Sequence, residues 1–118
     1  RRPIWLRSSR PSGYPTPTHG VFGRLLAAQN RHPYRPAHLH ALAFKRGFKT
    51  LVSQIFADDD ERLGSDVQFG VTEALIATYA RHDEPHPTVP SVDAPWYSLD
   101  YTLVMQPGEA ALPQPPIK

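Results

Sequence analysis

The sequence predicts an all-β fold, a β-sandwich with proline-rich loops and one short helix. Three observations carry that expectation. Short apolar runs alternate with polar residues at a period of two, as half-buried strands require. Most of the 14 prolines gather at 11–17, 85–95 and 107–116, where a residue without an amide donor breaks regular structure into loops. Residues 22–30 space their apolar side chains for a short helix of two turns or so. Short strands punctuated by Pro and Gly are the pattern of a sandwich.

Taken in order, residues 37–44 read as a strand, Lys45-Arg46-Gly47 as a turn, and 48–56 as the returning strand. Residues 58–61 read as a solvated acidic turn. Residues 67–71 and 74–79 are two more strand candidates, although the periodicity of 72–80 suits a helix equally. Residues 96–105 form the last expected strand, with Tyr97, Leu99, Tyr101 and Leu103 on one face and Ser98, Asp100 and Thr102 on the other. No internal repeat is present.

A length of 118 residues bounds the chain to one domain, and 40% hydrophobic residues supply a modest core that gains from a partner surface. The absence of cysteine excludes disulfides, cysteine-ligated zinc and iron–sulfur clusters, and suits a cytoplasmic protein. Any metal must then be held by His, Tyr, Asp or Glu. No apolar run reaches membrane-spanning length, so no membrane partner is expected. Much of the net charge of +2 comes from Arg1, Arg2, Arg7 and Arg10. Without a nucleic-acid fold motif, this segment reads as a solvated terminus, with no nucleic-acid partner. The chain does not begin with Met and has no signal-peptide pattern, so residue 1 reads as a processing point or a cut in a longer protein.

Chemistry concentrates in Arg35-Pro36-Ala37-His38-Leu39-His40, preceded by Gly13-Tyr14-Pro15. Two histidines at i and i+2 leave the same face of a strand and can present two nitrogens to one metal. By itself a His-x-His pair suits zinc or copper as well as iron. A turn tyrosine adds a hard oxygen donor, which favours a ferric ion. An arginine three residues before the first histidine places a cation where an anionic substrate would sit.

The joint arrangement resembles the intradiol ring-cleavage dioxygenases, the catechol and hydroxyquinol 1,2-dioxygenase group. The resemblance runs through Ser12-Gly13-Tyr14-Pro15, through residues 31–40 and 47–56, and through Ser65-Asp66-Val67-Gln68-Phe69-Gly70-Val71 and Trp96-Tyr97-Ser98-Leu99-Asp100-Tyr101. It implies a β-sandwich catalytic domain, with residues 1–106 as its C-terminal part and 107–118 as a proline-rich tail. It implies Fe(III) held by Tyr14, His38 and His40, with Tyr14 as the tyrosine that leaves the iron when substrate binds. Arg35 would stabilise charge on the substrate ring, Gln54 would line the pocket, and Val67 and Phe69 would bear on ring substituents. The implied reaction is intradiol cleavage of a catechol-type diol with O2 to a cis,cis-muconate-type product. The released Tyr14 phenolate would take one diol proton and hydroxide the other. The implied full-length protein is a homodimer.

The sequence also departs from the family. Its first tyrosine ligand belongs upstream of the Gly-Tyr-Pro turn, yet the 13 residues before Tyr14 contain no tyrosine. The chain therefore looks like a C-terminal portion that carries three of four protein ligands. The loop Thr16-Pro17-Thr18-His19-Gly20-Val21 lacks the family's usual acidic residue, and Ala41 stands where an aromatic commonly follows the second histidine. His19 is a loop histidine within possible reach of a metal, Tyr34 is not at a ligand position, and His32, His82 and His86 read as surface residues. Two alternatives stay open at this point. One is a catalytically inactive β-sandwich fragment or interaction module. The other is an unrelated metal-binding β-domain that uses only His-x-His.

Overall fold

The computed structural model describes residues 3–111. Among the described residues the fold is all-β with one short α-helix, in three small open sheets. The first sheet pairs β1 (Tyr14–Pro15) with β2 (Tyr34–Arg35), antiparallel. The second holds β3 (His38–Ala43), β4 (Leu51–Ala57) and β5 (Ile76–Ala77). There β3 and β4 are antiparallel, and β5 adds parallel to β4. The third pairs β6 (Ala80–His82) with β7 (Trp96–Ser98).

The single helix, α1, spans Gly20–Ala28. Leu and Ala dominate its second half and favour the helix. Gly23 is required at its start, since a Cβ there would lie 1.6 Å from the Thr18 carbonyl oxygen. The helix ends in a Schellman motif. Asn30 takes a left-handed φ of 51°, its N–H donates to Ala27, and the Arg31 N–H donates to Leu26. That exit turns the chain directly into the arginine- and histidine-bearing segment. Only Leu26 of α1 is buried; Val21, Phe22 and Leu25 are exposed.

The β3–β4 hairpin sets the register of the site. The Lys45-Arg46-Gly47 turn closes with a bond from Phe48 N–H to the Lys45 carbonyl, and Gly47 supplies the positive φ. His38 pairs with Phe56, His40 with Gln54 and Leu42 with Val52. Because side chains alternate, these six residues share one face.

The core is small: among the described residues Leu26, Ala37, Ile55, Phe56, Ala57, Val67 and Ala77 are buried, together with Pro36. The radius of gyration is 17.6 Å, against about 13 Å for a compact domain of this length. Much of the chain is draped over this core in extended segments.

Several expected elements differ. Residues 48–50 are not strand; Phe48 forms an isolated bridge to Pro107, and Lys49 N–H donates to the Gln106 carbonyl. Residues 67–71 form a turn rather than a strand, because the Asp66 carboxylate accepts from Gln68 N–H and Gly70 N–H and curls the backbone around itself. Residues 72–80 are neither a continuous strand nor a helix; a 3₁₀ turn at Glu73–Leu75 leads into β5. The last strand stops at Ser98, since residues 99–105 find no ladder partner among the described residues despite their alternation. The acidic turn is not simply solvated: Asp60 accepts from Ala37 N–H at 2.8 Å, and Asp59 pairs with Arg10. Arg10 therefore ties the terminal segment down, with its guanidinium over the Tyr97 ring at 4.5 Å. His82 is not a bare surface residue either, as its ring stacks on Trp96 at 3.9 Å. Arg1, Arg2 and residues 112–118 of the expected tail lie outside the described residues.

Candidate metal and substrate site

The two short ladders deliver the site. Pairing of β1 with β2 sets Tyr14 directly opposite Arg35, and one turn later the hairpin presents His38 and His40 on a common face. Gly13 permits the close approach, since a Cβ there would sit 2.9 Å from the Arg35 carbonyl oxygen. The Tyr14 ring lies 5.5 Å from the His38 ring, and the two imidazoles lie 4.9 Å apart, edge to face. Tyr14, His38, His40, Arg35 and Gln54 are thus brought together.

The protonation of His38 follows from its partners. Its Nδ1 lies 2.7 Å from the Pro36 carbonyl oxygen, which can only accept. Nδ1 therefore carries the proton and Nε2 offers its lone pair into the site. A carbonyl holding the outer ring nitrogen is the usual support for a metal-ligating histidine. Burial, chiefly, holds His38 below the ordinary histidine range, with Arg35 and His40 acting the same way against the Pro36 hydrogen bond. The ring is then neutral, as a ligand must be.

These residues fit a bound cation. The two histidine Nε2 atoms converge to 3.2 Å. For imidazole–metal bonds of about 2.1 Å, that separation corresponds to an angle of roughly 100° at a shared metal. Among the described residues no three His, Cys, Asp or Glu cluster around one point. Beside the two histidines the Tyr14 side chain, 44% exposed, offers a phenol oxygen as a further donor type. Two imidazole nitrogens and a phenol oxygen are donor types that suit a hard, highly charged ion.

Arg35 is buried beside the histidines at 2% exposure. Its NH1 lies 3.1 Å from His38 Nε2, and its NH2 donates to Gln54 Oε1 at 2.7 Å. Asp66, equally buried, neutralises it: Nε donates to Oδ1 at 3.2 Å and NH2 to Oδ2 at 3.4 Å. Burial works to raise the Asp66 carboxyl, but the bonds from Arg35, Gly70 and Gln68 outweigh it and hold the group below the usual carboxylate range. Phe56, fully buried, packs beneath both Arg35 and His38, with its ring centroid 5.9 Å and 5.5 Å from them.

Val67 and Phe69 do not share one environment. Val67 is buried at 4%, and its carbonyl accepts from Arg31 NH2. Phe69 is 78% exposed, with a φ of 54° and the Arg31 guanidinium 4.1 Å from its ring centroid. Asp66, Gly70 and Asp60 were missed by reasoning from the sequence. The available signals were that a buried arginine demands a carboxylate, and that Asp-x-Gln-x-Gly is turn chemistry.

A tyrosine, two convergent histidines and a buried arginine, brought together from two neighbouring sheets, form a donor set that would suit a metal beside an anion-binding group. Residues 4–107 match the dioxygenase family model, and the chain belongs to the intradiol ring-cleavage dioxygenase family. It is 49% identical over 80 residues to the hydroxyquinol 1,2-dioxygenase of a Rhizobium strain, covering 68% of this chain and 27% of that protein. It is 38% identical over 100 residues to the hydroxyquinol 1,2-dioxygenase of Nocardioides simplex, covering 83% and 34%. The crystal structure of hydroxyquinol 1,2-dioxygenase from Pseudomonas putida superposes with a TM-score of 0.74 at 37% identity, over 85% of this chain and 36% of that one. Catechol 1,2-dioxygenase from Acinetobacter radioresistens gives 0.76 at 26% identity, over 84% and 32%. The shared fold is of the β-sandwich type. The chain spans about a third of the length of the relatives it matches. The family match overturns the alternative of an unrelated His-x-His metal-binding domain. No helix among the described residues is long and apolar enough to cross a membrane.

Proposed function

We propose that this chain carries the C-terminal half-site of a non-haem Fe(III)-dependent intradiol dioxygenase, which cleaves a catechol-type diol with O2 to a cis,cis-muconate-type diacid. The convergence of His38 and His40 Nε2 beside Tyr14 and the buried Arg35 carries the reading. Tyr14, His38 and His40 hold the metal. When bound, ferric iron supplies the chemistry of withdrawing electron density from the diol and admitting O2 to it. Tyr14 is the exposed and therefore displaceable ligand, and its phenolate takes one diol proton as general base. Arg35 stabilises negative charge on the substrate ring, held by Gln54, while Val67 and Phe69 bear on ring substituents. Residues 1–106 form the C-terminal part of the catalytic β-sandwich, 107–118 a tail, and the whole protein works as a cytoplasmic homodimer.

The test is a ferric titration of the full chain. A visible phenolate-to-iron charge-transfer band is expected, shifting when catechol or hydroxyquinol is added under nitrogen. Tyr14→Phe should abolish the band, and H38A and H40A should each abolish ferric binding. A chain that stays colourless and iron-free overturns the reading.

A second reading, an inactive β-sandwich module, is favoured by one observation. The site face continues into Leu42 and Val52, which are exposed at 63% and 61%, with Phe44 close by at 57%. An open apolar surface of this kind suits an interaction role. Ferric binding without any diol-induced spectral shift would support it.

A further inference from the structure

We propose that Asp66 is a positioning residue: it fixes the plane of the Arg35 guanidinium so that its NH1 edge faces the His38–His40 nitrogens, where the diol would lie. The proposal rests on the reading of Arg35 as the substrate-facing cation. Its basis is a count of donors. A guanidinium has five N–H bonds in a rigid plane. The Nε–H goes to Asp66 Oδ1, and the two NH2 hydrogens go to Asp66 Oδ2 and Gln54 Oε1. NH1 lies 3.1 Å from His38 Nε2; once that lone pair is given to a metal, neither NH1 hydrogen has an acceptor among the described residues.

The carboxylate is equally committed. Oδ1 accepts from Arg35 Nε and Gln68 N–H, and Oδ2 from Arg35 NH2 and Gly70 N–H. All four acceptor directions are used, so Asp66 cannot rotate without breaking bonds to the backbone. A bidentate fork of this kind sets orientation as well as charge. Gly70 closes the back of the cluster. A Cβ there would stand 3.2 Å from Asp66 Oδ2, 3.3 Å from Arg35 NH2 and 3.6 Å from Gln54 Oε1. The turn 66–70 therefore forms a socket that holds the guanidinium from behind and leaves one edge free.

The ferric-loaded full chain tests this with an anaerobic catechol titration. Asp66→Asn should leave the charge-transfer band and iron stoichiometry unchanged and weaken catechol binding by about 10- to 100-fold. Asp66→Glu should recover part of the loss. In an Arg35→Met background, Asp66→Asn should change catechol affinity by less than about 2-fold, since the residue acts through Arg35. Wild-type catechol affinity in Asp66→Asn, or a full-sized loss that persists in Arg35→Met, overturns the proposal. The latter result would make Asp66 a support of the turn alone. If Asp66→Asn does not fold, Gly70→Ala provides the same test by pushing on the fork without removing charge. A Gly70→Ala chain with wild-type catechol affinity overturns the proposal. A wild-type chain with no ferric band overturns the underlying reading as well, so the two failures are distinguishable.

Discussion

Phe56→Ala is the sharpest test of how the core supports the site. The side chain is fully buried. It pairs across the ladder with His38 on one side and Ile76 on the other. Its ring underlies His38 and Arg35. Truncating a buried Phe removes its transfer free energy and leaves a cavity, typically about 3–5 kcal/mol. A domain of this length has about 6–18 kcal/mol in total at 0.05–0.15 kcal/mol per residue. With so few buried apolar residues this chain belongs in the lower part of that range, so the substitution should remove about half of its stability. Phe56→Leu, which keeps most of the volume, should cost about 1.5 kcal/mol. Urea unfolding followed by tryptophan fluorescence reads both, with the midpoint falling and the slope unchanged. A loss below about 1 kcal/mol for Phe56→Ala would refute the view that this ring is the keystone beneath the histidines. So would a change confined to the slope.

Three further outcomes are expected. The Tyr79 hydroxyl is buried without a partner among the described residues, and burial raises its pKa. Tyr79→Phe should therefore stabilise the chain by about 1 kcal/mol, and a lower melting temperature would contradict this. Gly13→Ala should destabilise by about 1–3 kcal/mol, because the new Cβ would meet the Arg35 carbonyl oxygen at 2.9 Å; an unchanged urea midpoint would show that the β1–β2 approach is not tight. Asp66 titrates below the usual carboxylate range when folded. Its stabilisation is fully present above that range. It declines as pH falls, because the unfolded chain takes up a proton that the folded chain refuses, and it is gone once pH passes through the folded value. The stability gap between wild type and Asp66→Asn should narrow on acidification, and a constant or widening gap would count against the assignment.

The site was more legible than the fold around it. His38 and His40 share a face because of a period-two rule that holds for any strand, and the Lys45-Arg46-Gly47 turn fixed the hairpin that carries them. The helix expected over 22–30 runs instead over Gly20–Ala28, with Asn30 outside it in the left-handed conformation that this residue tolerates. The failures have one cause. Residues 67–71 and 99–105 show strand-like composition, but a strand also needs a partner ladder, which alternation does not encode. At 67–71 a single carboxylate diverted the backbone amides, a competition between side chain and ladder that no periodicity detects. Asp66 was invisible for the related reason that its role is defined by a partner 31 residues away.

The placement of the charges explains how a guanidinium can be buried beside the histidines. A guanidinium at 2% exposure is tolerated only with its counter-ion in contact, and Asp66 at 3% exposure provides it. Burial, chiefly, with Arg35 acting the same way, holds His38 below the ordinary histidine range, which leaves its Nε2 available to a cation. A dianionic diol drawn in by such a cation would then meet an Arg35 edge already oriented. The hydrogen bond needs no reorganisation at the moment charge develops, the condition under which electrostatic stabilisation acts on a transition state. Asp66 is therefore placed to make the arginine tolerable in the core and also to aim it, and the Arg35→Met cycle separates those two effects.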